Sequence, residues 1–238
     1  MTPAWSDLRQ DVKLCRRCPL SESRSCAVPG EGPPDARILI VGDAPSDGDT
    51  RAAKPFTGKQ GDKLDAWLSK AGLTRDEVFL TTLLKCQPPE NKFPDYKEGG
   101  PADRCLPYLH AQLRLLNPFA VIVCGKNALQ HLVLDGTARK ARFIDEWAGM
   151  VLRRRDLLGE ARIGVTFSPH HVQRKWNPME EEKCVRVFRN IAAYSAARRQ
   201  NEPAPQIDMV EIRPITPPTF QQRFRLFPEQ PKPVQEPT

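Results

Sequence analysis

The sequence predicts an α/β protein, a three-layer α/β/α sandwich on a central, mainly parallel sheet. Two observations carry this. Four apolar runs of strand length recur along the chain, and they alternate with segments whose apolar residues fall at helical three-to-four spacing. Residues 1–35 read as a short helix, a CRRC turn and a Gly/Pro loop, VPGEGPPD. ARILIVGDAP is an apolar run closed by Gly42 and Pro45, as expected of a strand buried on both faces. GDKLDAWLSKAGL sets Leu64, Trp67, Leu68 and Ala71 on one helical face, with Gly72 as its stop. VFLTTLLKC is the second strand, and CLPYLHAQLRLLN the second helix, ended by Asn117-Pro118. FAVIVCG, KNALQHLVL and ARIGVTFSP follow as strand, helix and strand, and EEEKCVRVFRNIAAYSAARR closes as a long helix. Ligands in open α/β sheets bind beyond the carboxyl ends of the strands. GDAP, TLLKC, CGKN and SPHH therefore mark the expected functional edge.

A chain of 238 residues suffices for one sizeable core. It contains no apolar run of about 18 residues, so no helical membrane span is expected. MTPAWSDLRQDVKL has acidic residues and no apolar signal core, and the expected location is cytoplasmic. From Asn201 onward nine of 38 residues are proline and apolar periodicity disappears. The division is therefore a folded unit over 1–200 and a Pro-rich flexible tail over 201–238. The formal charge is +7, and residues 1–200 carry 32 basic against 24 acidic side chains. That balance favours a polyanion partner, nucleic acid among the candidates, though many basic proteins bind none. The chain is expected to be a monomer.

Seven cysteines, an odd number in a chain read as intracellular, argue against a disulfide framework and for metal or cluster ligation. Cys15 and Cys18 lie in CRRCPL, Cys86 ends the second strand, and Cys105 stands near the start of the second helix. Four thiols from three segments complete one S₄ site for zinc or an iron–sulfur cluster, and spacing alone favours zinc. Each thiol taken singly also reads as a small buried apolar side chain. Cys26, Cys124 and Cys184 are spare.

Taken in order, CRRCPL, GDAPSDGDTRAAKPFTGKQGDKL, TLLKCQPPENKFP, CLPYLHAQL and FAVIVCGKNAL resemble the family 4 uracil-DNA glycosylases, over about Cys15 to Tyr194. The resemblance implies a uracil-DNA glycosylase-like domain over 1–200 with an N-terminal cluster-binding segment. It also implies one structural [4Fe-4S] cluster on Cys15, Cys18, Cys86 and Cys105, in place of zinc. The implied activity is base excision from DNA: a base is flipped from the stack and its N-glycosidic bond hydrolysed, with uracil as the default base.

In such a reaction the departing base becomes anionic and the sugar cationic. The site needs hydrogen-bond donors on one side and a carboxylate or water on the other. GDAPSDGDTRAAKPF is similar to the family's first motif. Asp43 takes the place of a glutamate, Asp47 and Asp49 add acid, and Phe56 matches the aromatic residue that stacks on the flipped base. Each acid also reads as a helix N-cap or Asx turn. Thr82 stands where the family has an asparagine that reads uracil, and a hydroxyl cannot reproduce an amide's paired geometry. Ser168-Pro169-His170 stands where the family has His-Pro-Ser ahead of a minor-groove wedge. Ser168 is then the residue facing the leaving base. His170, two places on, reads as a pocket group, a phosphate contact or an idle surface side chain. His171, Gln173 and Arg174 are expected to touch DNA as part of the wedge. Thr82 and Ser168 also open the way to a modified base as substrate. The rival readings are a catalytically weak DNA-binding module that keeps fold and cluster, and a zinc-stabilised nucleotide hydrolase. In the tail, Gln222-Arg223-Phe224-Arg225-Leu226-Phe227 resembles clamp-binding peptides, which makes a sliding clamp a candidate partner. An apolar patch docking back on the body reads equally well.

Overall fold

The structure, a computed structural model, describes residues 3–95, 97–134, 144–175 and 177–211. Helix α1 (Pro3–Leu14) and the single turn α2 (Leu20–Ser23) lead to strand β1 (Ile38–Gly42). Then come α3 (Asp47–Ala52), α4 (Gly58–Lys70), β2 (Val78–Thr82), α5 (Pro101–Leu116) and β3 (Ala120–Cys124). Helix α6 (Lys126–Ala128) runs on as a π turn over Leu129–Val133. The chain continues through β4 (Val151–Arg153), α7 (Arg155–Leu158), β5 (Arg162–Thr166), α8 (Pro169–Arg174), α9 (Pro178–Gln200) and β6 (Met209–Glu211).

The six strands form one sheet in the order β2-β1-β3-β5-β4-β6, parallel except where β4 meets β5. Every position of β1, β2 and β3 is buried, in keeping with the apolar runs of β1 and β3, and β2 buries Thr81 and Thr82 as well. Successive side chains point to opposite faces and so divide into two cores. Leu39, Val41, Val121 and Val123 pack with Trp5 and Val12 of α1 and Leu109 of α5. Ile38, Ile40 and Ile122 pack with Leu64 and Trp67 of α4 and Phe188 and Ile191 of α9. Helices on both faces of the sheet make the three layers that the alternating pattern predicts.

Register brings the carboxyl ends level. Gly42 pairs with both Thr82 and Cys124, and Cys124 pairs with Thr166. The outer edge of β2 is covered by the loop before β1: Glu31 and Leu80 exchange both backbone hydrogen bonds, at 2.9 and 2.7 Å, and Val28 N–H donates to the Lys85 carbonyl at 2.7 Å. Gly32 permits this approach. Its φ is +138°, and a Cβ there would lie 2.4 Å from the Val78 carbonyl oxygen.

Three features depart from the pattern. VFLTTLLKC is strand only to Thr82, because the Leu83 and Leu84 amides donate to the Gly42 and Asp43 carbonyls and fold the chain over the end of β1. Within the segment read as tail, Met209–Glu211 adds a strand beside β4, a run too short for periodicity to reveal. The SPHH segment is the short helix α8 rather than an open loop. The clamp-like Gln222–Phe227 stretch lies outside the described residues.

Helix α9 crosses β5 at Gly164, where a Cβ would sit 2.4 Å from Val187 Cγ1. Gly164→Ala is expected to cost about 1–3 kcal/mol by overpacking, read as a lowered denaturation midpoint.

Candidate active site and cysteine group

Asp43 is the first residue beyond β1, and the start of α6 holds its carboxylate. Oδ1 accepts the Ala128 backbone N–H at 2.7 Å and Oδ2 accepts Asn127 Nδ2–H at 2.9 Å. Gly125 lies directly beneath, with φ +120°, and a Cβ there would be 2.8 Å from the carboxyl atoms. Burial pushes the Asp43 carboxyl up to about 6, while the bonds from Ala128 and Asn127 and the charge of Lys126 pull it down. The group is therefore ionised at neutral pH and takes up a proton just below it.

The other two acids of the loop have different surroundings. Asp49 is buried and acts as a hub: Oδ1 accepts from Thr57 N–H and Thr57 Oγ1–H, both at 2.7 Å, and Oδ2 from Ser46 N–H at 2.8 Å and Gln60 Nε2–H at 3.1 Å. It completes a capping box with Ser46 at the start of α3. Asp47 is exposed and pairs with Arg51 one turn along. Of the three carboxylates, Asp43 is brought to the strand ends, Asp49 shapes the loop, and Asp47 faces solvent.

Phe56 has a left-handed backbone, φ 55°, fixed by Arg75 Nη2–H donating to its carbonyl at 2.7 Å. Its ring lies against Gly42, where a Cβ would meet Phe56 Cζ at 2.8 Å and Thr82 Cγ2 at 3.4 Å. Phe56, Gly42 and Thr82 thus form one wall beside Asp43. The Thr82 hydroxyl donates to the Leu84 carbonyl at 2.6 Å, which commits its only hydrogen.

At the end of β5, Ser168 caps α8 and its Oγ accepts the His171 N–H at 3.1 Å. His170 is exposed. His171 is stacked on Phe167, with ring centroids 5.0 Å apart, and its Nε2 lies 3.1 Å from Glu180 Oε2. Val172 is buried. The segment expected to protrude as a wedge is thus a packed helical turn, with His171 engaged from two sides. Gln173 stays half-exposed and Arg174 exposed on its surface.

The four cysteines of the predicted set come together. Cys18, Cys86 and Cys105 are buried in one core cluster, with Cys15 packed against it. Cys15 and Cys18 act electrostatically on the Cys86 thiol, and Cys86 and Cys18 on Cys105. Burial pushes Cys105 up to about 12, against a hydrogen bond from the Lys85 backbone. Cys124 and Cys184 lie in the other core. Among the described residues, no three His, Cys, Asp or Glu side chains converge as a site for a single metal ion.

Beside the cysteines, Lys85 is fully buried. Its Nζ donates to Thr81 Oγ1 at 2.7 Å, the Thr82 carbonyl at 2.6 Å and Gln112 Oε1 at 2.9 Å. Gln112 Nε2 in turn donates to the Pro29 carbonyl. Burial lowers Lys85 to about 7, and the Cys105 and Cys86 thiols oppose that shift.

Fold and site together define an α/β protein of the open-sheet class, with its chemistry placed beyond the strand ends. Residues 29–191 match the sequence model of the uracil DNA glycosylase superfamily. The chain is 34% identical over 168 residues to a type-4 uracil-DNA glycosylase of Pyrobaculum aerophilum, spanning 71% of this chain and 84% of that protein. It is 34% identical over 163 residues to a type-4 uracil-DNA glycosylase of Thermotoga maritima, spanning 68% and 80%. To a type-5 uracil-DNA glycosylase of Mycobacterium leprae it is 32% identical over 163 residues, spanning 59% and 69%. The chain belongs to the uracil DNA glycosylase superfamily.

Asn127, Lys85 and Gln112 are not among the site residues expected from the sequence. Asn127 had a signal, a polar residue directly after a strand in CGKN. So did Lys85, a charge ending the apolar run TLL. Gln112 had none, because its role depends on a partner 83 residues away.

The Asp43 carboxyl should titrate near pH 6 by ¹³C NMR. Asn127→Ala removes a bond to the charged form and should move that midpoint upward. A midpoint unchanged by the substitution would contradict the assigned geometry.

Proposed function

We propose that this chain is a DNA glycosylase of the type-4 uracil-DNA glycosylase kind. It hydrolyses the N-glycosidic bond of a base flipped from DNA, with uracil as the default base. The observation that carries the reading is the Asp43 carboxylate held at the end of β1 beside the Phe56–Gly42–Thr82 wall. The relatives named type-4 uracil-DNA glycosylases, matched over more than two thirds of this chain, support it.

As the base leaves, positive charge grows on the sugar. An ionised carboxylate stabilises that charge and orients the attacking water. Asp43 is the acid held for this work, its carboxyl raised by burial to about 6. Asp49 keeps Ser46, Thr57 and Gln60 in place around it. Phe56 supplies a flat apolar surface for the base. Thr82, its hydrogen already donated, offers lone pairs to a base edge where an amide would offer both donor and acceptor. This weakens uracil recognition and leaves room for a modified base. Ser168 and His170 flank the start of α8, and the basic surface of the body, Arg174 included, binds the phosphate backbone.

Cys15, Cys18, Cys86 and Cys105 would hold a [4Fe-4S] cluster. The residues fit the group. The four soft donors are gathered from three segments, and the buried ammonium of Lys85 bonds only neutral oxygens beside them, so four thiolates would supply the missing negative charge. The cluster's contribution there is a structural cross-link.

Oligonucleotides carrying uracil, hypoxanthine or a modified pyrimidine, treated with protein and then alkali, test the reading. Strand breaks at the modified position are expected, with activity falling as pH drops through about 6 and Asp43 takes up its proton. Thr82→Asn with Ser168→His should raise uracil excision, roughly 10²- to 10³-fold for a well-placed donor. Binding to every oligonucleotide with no strand break in either form would sink the enzyme reading.

A further inference from the structure

Arg24 lies in SESRSC, between the CRRC turn and the loop that covers β2, and it takes no part in the base site. Its half-buried guanidinium reaches three places at once. Nη1–H donates to Cys86 Sγ at 3.1 Å, and Nη2–H donates to the Cys15 carbonyl at 2.7 Å and the Lys13 carbonyl at 2.9 Å. Cys86 is 62 residues away in sequence and Cys15 only 9. One planar, permanently charged fork therefore fixes a sulfur from the end of β2 against the backbone of the other ligand segment.

Such a contact has two consequences for any cluster bound there. A fixed N–H aimed at a ligand sulfur sets the direction in which that sulfur points. A unit positive charge beside the sulfur stabilises the more negative, reduced state more than the oxidised one, and hydrogen bonds to ligand sulfurs are among the terms that set a cluster's potential. Lysine would keep the charge and one donor but lose the fork, and glutamine would keep a neutral donor alone.

We propose that Arg24 is a positioning residue for the iron–sulfur cluster, which locks Cys86 to the Cys15 segment and raises the cluster's reduction potential. The inference rests on the cluster reading given above.

Arg24→Gln and Arg24→Lys, purified as full-length protein beside the unaltered chain, test it through iron content, iron release to a chelator, and midpoint potential at an electrode that supplies the single electron. Arg24→Gln should release iron roughly tenfold faster, the scale of one hydrogen bond to a charged group. Its potential should fall by about 59 mV, the one-electron equivalent of a tenfold change in equilibrium constant. Arg24→Lys should recover most of the potential while still releasing iron faster, because charge is kept and the grip on the Cys15 and Lys13 carbonyls is lost. If Arg24→Gln cannot be isolated with iron, Arg24→Lys alone decides, and iron release equal to the unaltered protein overturns the proposal. Iron-loaded unaltered protein with an Arg24→Gln variant of the same potential and release rate overturns the role of Arg24 while sparing the cluster. Unaltered protein without iron overturns both.

Discussion

The buried amine of Lys85 joins three parts of the molecule. It is buried, it sits one residue before Cys86, and its bonds run to Thr81, to the Thr82 carbonyl and to Gln112 on α5. Gln112 extends the network to Pro29 in the loop that covers the β2 edge. One buried amine thus ties the wall of the proposed base site, the helix carrying Cys105 and the N-terminal segment to a single place. A buried charge with neutral partners is expensive, and the adjoining thiols are the groups able to offset it once ionised. With a cluster on the adjoining cysteines, as proposed, thiolate charge would offset that cost and tie the N-terminal segment to the ligands.

The same network supports the proposed base site from behind. Thr82 is held through its carbonyl by Lys85 and through its hydroxyl by Leu84, and the turn at Leu83 and Leu84 bonds back to Gly42 and Asp43. Asp43 is then fixed from the front by Asn127 and Ala128. The loop between β1 and α4 divides its acids by burial: the enclosed Asp43 keeps a free-energy cost on ionisation, and Asp49 spends its lone pairs on the surrounding loop. Three carboxylates within seven residues do three different things, and the difference lies entirely in what donates to each.

Much of this was legible in the sequence. β1 and β3 show as unbroken apolar runs because both faces of the sheet are covered. α4, α5 and α9 show as periodic segments because each buries only one face. The CxxC pair was readable as a local motif, whereas the choice of Cys86 and Cys105 from the other five thiols came from the family resemblance. Other parts depend on pairings that no window of sequence contains. The turn after Thr82 exists because Leu83 and Leu84 find carbonyls on β1. His171 is drawn inward by Phe167 and by Glu180, on a different helix. Met209-Val210 becomes a strand only because β4 offers an edge, and the division between Asp43 and Asp49 rests on their pairing with Asn127 and Thr57, 84 and 8 residues away.

The central claim is that ligation by the four cysteines holds the covering loop and the base-site wall together. Hydrogen exchange with parallel iron analysis, on Cys86→Ser and Cys184→Ser, tests it most directly. Cys86→Ser should lose iron, and residues 27–31 and 78–85 should exchange faster together, while Cys184→Ser, whose thiol lies in the opposite core, should keep its iron and leave both segments protected. Equal iron content in the two variants, or a Cys86→Ser protein that loses iron without faster exchange in those segments, would contradict the account.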